Sequence, residues 1–202
     1  MITCARGRFL VDGKPFFIYS GEIHYFRLRP QEWPVHLRAA RGAGLNTVSS
    51  YIPWIWHEPE PGRFDFAGRT HPQRDLARYL DLVAEHGLRF VARVGPVSNA
   101  ELVNEGVPSW LVRGHPEVFV RGREITNLPH DTLLAYHNPV FQEHVGRWYD
   151  AVLPVVARSA HPRGPTILVQ LDNEIGMVHW LQKAADYGSG TEVMYRAFLR
   201  GR

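Results

Sequence analysis

The sequence predicts an α/β protein of parallel βαβ units, of the (β/α) barrel type rather than the doubly wound type. Three observations carry that prediction. Short runs rich in Val, Ile, Phe, Tyr and Thr alternate with segments of helical period, as parallel units require. G-A-G-L-N-T-V at 42–48 and H-G-L-R-F-V-A at 86–92 repeat one local grammar, a glycine stop, a leucine and then a strand. No G-x-G-x-x-G follows the first apolar run, which removes the main argument for a dinucleotide-binding sheet.

The elements follow in order. A tight turn at Asp12-Gly13-Lys14 leads into a first predicted strand at 16–25. The next three are expected at 45–52, 88–94 and 167–171, the last a fully buried strand. The first helix is expected at 30–43, with Trp33, Leu37 and Ala40 on one face. The second is expected at 72–86, with Leu76, Tyr79, Leu80 and Val83 inward, Thr70 as N-cap and Gly87 just past its end. Asn138-Pro139 opens a third, carrying Phe141, Val145, Trp148, Val152 and Val155 on one stripe. Pro154 should kink or end it. A short helix with Thr191 as cap is expected near the C-terminus, with Val193, Met194, Phe198 and Leu199 apolar.

Composition narrows the function. The net charge of +3 is scattered, without the clustered Lys and Arg of a nucleic-acid surface. No run approaches the ~18 apolar residues of a membrane span. Cys4 is the lone cysteine, so neither an internal disulfide nor a cysteine metal cluster is expected. The first residues lack an apolar signal region, and the expected compartment is the cytoplasm.

The connections are lopsided. Helix-to-strand turns are short, at Gly44 and Gly87, while the strand-to-helix loops at 53–70 and 95–137 are long. In a (β/α) barrel such loops gather at the C-terminal strand ends, where active sites are built. Those ends carry Glu22, His24, Tyr51, Trp54, Trp56, Arg93, Asn99, Glu101, Asn173 and Glu174. Aromatics stack on sugar faces, and amides and carboxylates grip hydroxyls; a phosphate site wants Lys, Arg and glycine-rich backbone instead. His57-Glu58 is followed by proline rather than completing H-E-x-x-H, so no catalytic metal and no cofactor are expected. No G-x-S-x-G elbow is present. Glycosidic cleavage needs a protonated carboxyl beside a second carboxylate. A Glu shielded at a strand end could keep that proton, because desolvation raises its pKa. On residue chemistry alone Asn173-Glu174 fits that role, and a plain core-capping Asn-Glu pair fits nearly as well.

Six ordered motifs then carry a resemblance. S-G-E-I-H-Y-F-R at 20–27, G-L-N-T-V-x-x-Y-I-P-W at 44–54, H-E-P-E-P-G-R-F-D-F at 57–66, R-V-G-P-V-S-N-A-E at 93–101, G-V-P-S-W-L at 106–111 and V-Q-L-D-N-E-I-G at 169–176 resemble glycoside hydrolase family 35. The resemblance implies an eight-stranded barrel and retaining hydrolysis of terminal β-galactosides. It implies Glu174 as general acid/base, Asn173 at the sugar 2-hydroxyl, and Tyr51, Asn99, Ala100 and Glu101 as substrate-binding positions. Val94, Val97, Asp172 and Ile175 depart from the family pattern and bear on substrate preference. The family's nucleophile, a second Glu ending the seventh strand, has no counterpart in these four units. The expectation is therefore an N-terminal half-barrel over residues 1–202, inactive alone and prone to self-association through open edges. Rival readings are a retaining hydrolase of β-glucosides or β-mannosides, and a non-catalytic sugar-binding remnant.

For individual residues the bland readings weigh heavily. Glu22 suits a buried salt bridge to Arg93, His24 a structural hydrogen bond, and Trp54, Trp56 and Trp110 suit packing.

Overall fold

A computed structural model describes residues 1–120, 134–175 and 185–201. Four strands, β4 (Ser20–Glu22), β5 (Thr47–Tyr51), β6 (Arg89–Arg93) and β7 (Thr166–Gln170), form one parallel sheet in the order β4-β5-β6-β7. Sequential order in a parallel sheet is the βαβ progression the alternation predicts. The register pairs Tyr51 with Arg93 and Arg93 with Gln170, so those side chains share one rung.

Ahead of this sheet lies an element the sequence reading did not separate. Strands β1 (Ile2–Ala5), β2 (Arg8–Val11) and β3 (Lys14–Pro15) form an antiparallel sheet of their own. Its turns use left-handed residues at Arg6-Gly7 and Asp12-Gly13. The predicted first strand at 16–25 shrinks to β4, because the chain passes into a helical turn at Tyr25–Arg27 that drives Tyr25 and Phe26 into the core.

Three helices cover the sheet. Helix α1 (Trp33–Gly42) buries Trp33, Leu37 and Ala40, the predicted face. After the one-turn α2 (Trp54–His57), α3 (Leu76–Glu85) buries Leu76, Tyr79, Leu80 and Val83. Its cap is Asp75, whose carboxylate accepts from Arg78 N, and not Thr70. Thr70 is taken by Asp65, which accepts from both its backbone N–H and its hydroxyl. After α4 (Ser109–Gly114), α5 (Pro139–Arg158) starts where predicted, with Asn138 accepting from Val140 N and Phe141 N. It runs through Pro154, because residues 150 and 154 face solvent and water can serve the carbonyl that proline leaves unpaired. The last helix, α6 (Ser189–Arg200), begins before Thr191, whose hydroxyl instead bonds Asp186. Its Val193, Met194, Phe198 and Leu199 are exposed.

The core between sheet and helices is aromatic: Trp33, Trp54, Trp148, Tyr25, Tyr79, Phe90 and Phe141 are all fully buried. Strand β7 differs from the expectation of a fully buried strand. Thr166 and Ile167 are buried, but Leu168 and Val169 are exposed, as is Leu171 just beyond. The reason is position: β7 is an edge of the sheet, and no described strand covers its outer side. No described helix is long and apolar enough to cross a membrane. Gly176 of the last motif and Trp180 lie outside the described residues.

Candidate active site

The C-terminal ends of the four strands meet at Arg93. This residue ends β6, and its guanidinium lies 3.8 Å from the centre of the Tyr51 ring, the end of β5. The cation over the ring face is attractive and fixes both planes. Its Nη1 donates to Glu22 at the end of β4. Its Nε donates to Gln170 Oε1 at 3.1 Å and its Nη2 to Asn173 Oδ1 at 2.7 Å, reaching β7 and the turn beyond. One planar fork therefore ties four strand ends together, which the five donors of a guanidinium permit and a lysine would not.

Asn173 is buried and its amide orientation is decided. Oδ1 accepts from Arg93 and from Gln170 Nε2 at 3.2 Å, so Nδ2 is the donor left to face Ser98 O, at 3.2 Å. The turn that carries it is left-handed on both sides, at Asp172 (φ 59°) and Glu174 (φ 54°). Asp172 holds this turn from below. Its N–H bonds Gly95 O at 2.6 Å, and its buried carboxylate accepts from Asn173 N, Tyr136 and Val97. Burial pushes the Asp172 carboxyl up, and those hydrogen bonds oppose it.

Glu174 stands at the mouth. Its Oε2 accepts from Asn99 Nδ2 at 2.8 Å, which joins the ends of β6 and β7 across the opening. The residue is exposed, so the shielding expected from sequence is not supplied by the described residues. Asn99, Ala100 and Glu101 form a run of three left-handed non-glycine residues, with φ of 52°, 53° and 51°. Each such residue costs about 1–2 kcal/mol, and that strain has to be held by contacts. Arg27 supplies one, donating to Ala100 O with Glu101 Oε2 3.7 Å away.

The remaining residues divide cleanly. His24 stacks on Phe26, lies tilted against Tyr51 and is 3.5 Å from Glu22. Burial lowers the His24 pKa, with Glu22 pulling the other way. Burial likewise raises the Tyr51 phenol, opposed by Arg93 and reinforced by Glu22, Glu174 and Glu101. Trp54 is wholly buried against Trp148, and Trp56 lies under the Arg74 guanidinium; both pack rather than face the opening. Trp110 is also packing, donating to Glu58 O at 3.0 Å. His57 and Glu58 are structural. His57 Nδ1 donates to Asp65 O and its Nε2 accepts from Tyr25, both at 2.5 Å, while Glu58 holds Trp54 and Gly62 N.

Sequence reasoning missed Arg27, Gln170 and Ser98 as parts of the site. Arg27 had a signal, as the last residue of S-G-E-I-H-Y-F-R. Ser98 had none, since only the fold places its carbonyl against Asn173. Three buried polar atoms at this cluster have no hydrogen-bond partner: His24 Nδ1, Ser98 Oγ and Asn99 Oδ1. Buried polar atoms are normally paired, so these three keep hydrogen-bonding capacity that the described residues do not use.

A parallel sheet with carboxylates, carboxamides and aromatics at its C-terminal edge has the outline of a barrel-type glycosidase domain. Solved structures share that fold. A β-galactosidase from the psychrophilic Marinomonas ef1 matches with TM-score 0.65 at 18% identity, over 89% of this chain and 24% of that one. An exo-β-1,4-mannosidase from Opitutaceae bacterium strain TAV5 matches with TM-score 0.60 at 21% identity, over 87% and 28%. The chain belongs to glycosyl hydrolases family 35, whose pattern matches residues 8–201. It is 39% identical to a β-1,2-glucosyltransferase of Ignavibacterium album, over 95% of this chain and 27% of that protein. It is 42% identical to an exo-β-D-glucosaminidase of Thermococcus kodakarensis, over 83% and 22%. It is 35% identical to a β-galactosidase of Mus musculus, over 85% and 24%. The chain thus spans about a quarter of the length of these relatives.

Proposed function

We propose that residues 1–202 are the N-terminal part of the catalytic barrel of a retaining β-glycosidase acting on terminal β-galactosides. In this reading Glu174 is the general acid/base. Asn173 Nδ2 meets the sugar 2-hydroxyl, and Tyr51, Asn99, Ala100 and Glu101 line the sugar. The observation that carries the reading is the bond from Asn99 Nδ2 to Glu174 Oε2 at 2.8 Å, beside an Asn173 oriented by Arg93.

The mechanism follows from what each group can do. Glu174, protonated, gives its proton to the leaving glycosidic oxygen. Asn99 donates to the carboxylate this leaves, stabilising it until it deprotonates water in the second step. Arg93 cannot lose its proton, so Asn173 keeps its donor side toward substrate throughout. Covalent double displacement also needs a second carboxyl about 5–5.5 Å from the first. In this reading that group comes from a later strand of the barrel, and the sheet edge at β7 is where the later strands join.

The test is hydrolysis of aryl β-galactosides. The 202-residue chain alone should show negligible turnover. A protein carrying this chain together with the rest of the barrel should be active, and Glu174→Gln should lower kcat by about 10²–10⁴ on poor leaving groups. The loss should be far smaller with a dinitrophenyl leaving group, which needs no acid. Equal losses on both would remove Glu174 from the acid role, and sugar binding without hydrolysis would point to a binding remnant.

A second reading has a specific observation behind it. The relatives named for glucosyl and glucosaminyl substrates are 39% and 42% identical to this chain, above the 35% of the mouse β-galactosidase. A gluco-configured sugar is then the substrate of the same machinery. Relative kcat/KM on aryl β-galactoside, β-glucoside and β-glucosaminide decides between them.

A further inference from the structure

Arg27 closes the S-G-E-I-H-Y-F-R motif, yet the roles proposed above give it no task. From its place in the structure we infer that Arg27 is a positioning residue: its bond to Ala100 O holds the Asn99–Ala100–Glu101 turn and, through Asn99, the carboxyl of Glu174.

Arg27 is itself held by the core beneath it. It ends the helical turn at Tyr25–Arg27, whose first two residues are buried. Tyr25 stacks on Tyr79 and meets Trp33 edge-on, so the platform under Arg27 is part of the aromatic core. The guanidinium passes over the Phe26 ring at 5.5 Å, which aims it toward the loop after β6.

The other half is what the loop lacks. Three successive left-handed residues are disfavoured, and Asn99, Ala100 and Glu101 carry no glycine among them. Leu102 N closes the turn onto Asn99 O at 3.0 Å, and contacts on either side oppose its relaxation. On one side Ser98 N and Asn99 N both bond Glu105 O, at 2.8 and 3.1 Å. On the other, Arg27 Nη2 donates to Ala100 O. Among the described residues the Asn99 side chain has a single partner, Glu174 Oε2, and its Oδ1 has none. Among the described residues it is therefore the backbone that points Asn99 at Glu174, and that backbone is pinned at the next residue by Arg27. Glu101 contributes less, since it sits 3.7 Å from Arg27 and is 89% exposed.

The experiment is hydrogen exchange and side-chain amide NMR on the 202-residue chain, which need no sugar. The inference rests on the proposed acid role of Glu174 only for its consequence in catalysis, so either can fail without the other. Arg27→Met keeps the stem over Phe26 and removes the donors. Exchange at Ser98, Asn99, Leu102 and Glu105 should rise about tenfold, the lower end for a charged donor because Arg27 is partly exposed. The Asn99 side-chain amide should move to its free position, while exchange at Val48 and Phe90 in the central strands stays unchanged. Arg27→Lys should restore most of the protection, and Glu101→Gln should change little. If Arg27→Met does not fold, Arg27→Lys against Arg27→Gln gives the same contrast. Unchanged loop exchange and an unmoved Asn99 amide would overturn the inference. So would equal acceleration in the loop and the central strands, which would make Arg27 a general stabiliser.

Discussion

The buried imidazole of His57 should make the stability of this chain fall with acid, by an amount the structure sets. The ring is fully buried, stacked on Phe66 at 4.8 Å. Both nitrogens are committed: Nδ1–H to the Asp65 carbonyl, and Nε2 as acceptor from Tyr25, so a second proton has no place to go without breaking a bond. Burial holds its pKa down at about 4, with the hydrogen bond to the Asp65 carbonyl pulling the other way. In the unfolded chain the group titrates near 6.5, so below that value the unfolded state binds more protons and stability rises with pH. The contribution is complete above about pH 6.5 and is lost progressively as pH falls toward 4. At about pH 5 linkage places the loss near 2 kcal/mol relative to about pH 8. The assay is urea unfolding at both pH values for the wild type and for His57→Phe, which keeps the stack. The variant loses two buried hydrogen bonds, so it should be weaker at both pH values by about 1–3 kcal/mol. The test is the difference between the pH values: it should shrink by about 2 kcal/mol in the variant. His24 and His144, both also held low by burial, supply what remains. An undiminished difference in His57→Phe would refute the reasoning.

Other outcomes follow from the same contacts. Trp148→Ala, which empties a fully buried site and frees Val94 O, should cost about 3–5 kcal/mol in denaturant unfolding. Asn138→Ala removes the acceptor of two first-turn amides of α5 and should cost about 1 kcal/mol. Arg93→Met should leave the fold in place, because Glu22 is half-exposed, and on the proposed reading it should abolish sugar binding by releasing Asn173; retained binding would show that the amide is fixed by Gln170 alone. Val169→Lys, on the exposed edge strand, should lower concentration-dependent association of the isolated chain in sedimentation; unchanged association would move the contact elsewhere.

Much of this was legible from the sequence because it rests on local signals. The helix faces read from Trp33, Leu37 and Ala40 and from Leu76, Tyr79, Leu80 and Val83 recur in the structure, as does the Asn138 cap. The Glu22–Arg93 pair was readable from residue chemistry and strand position, but not its setting, since Glu22 is half-exposed rather than buried. What failed depended on partners distant in sequence. Thr70 looked like a cap until Asp65 claimed it, and Thr191 until Asp186 did. Leu168 and Val169 looked buried because apolar runs in parallel sheets usually are, yet burial depends on a neighbour that the run itself does not specify. The short N-terminal sheet escaped notice because its strands have two to four residues each. At the site, residue types were visible but not connections, and Arg27 was quoted in a motif without a task.

Helix α5 sends two side chains to the place where β6 becomes the loop bearing Asn99. Trp148 Nε1 donates to Val94 O at 2.7 Å, and Tyr149 donates through its hydroxyl to Gly95 O at 2.8 Å. The same Gly95 carbonyl accepts from Asp172 N. On the proposed reading, the choice of sugar therefore has a lever on the outside of the sheet. Small changes of volume at 148 or 149 would tilt the rim from behind, leaving Glu22, Arg93, Asn99 and Glu174 as they are.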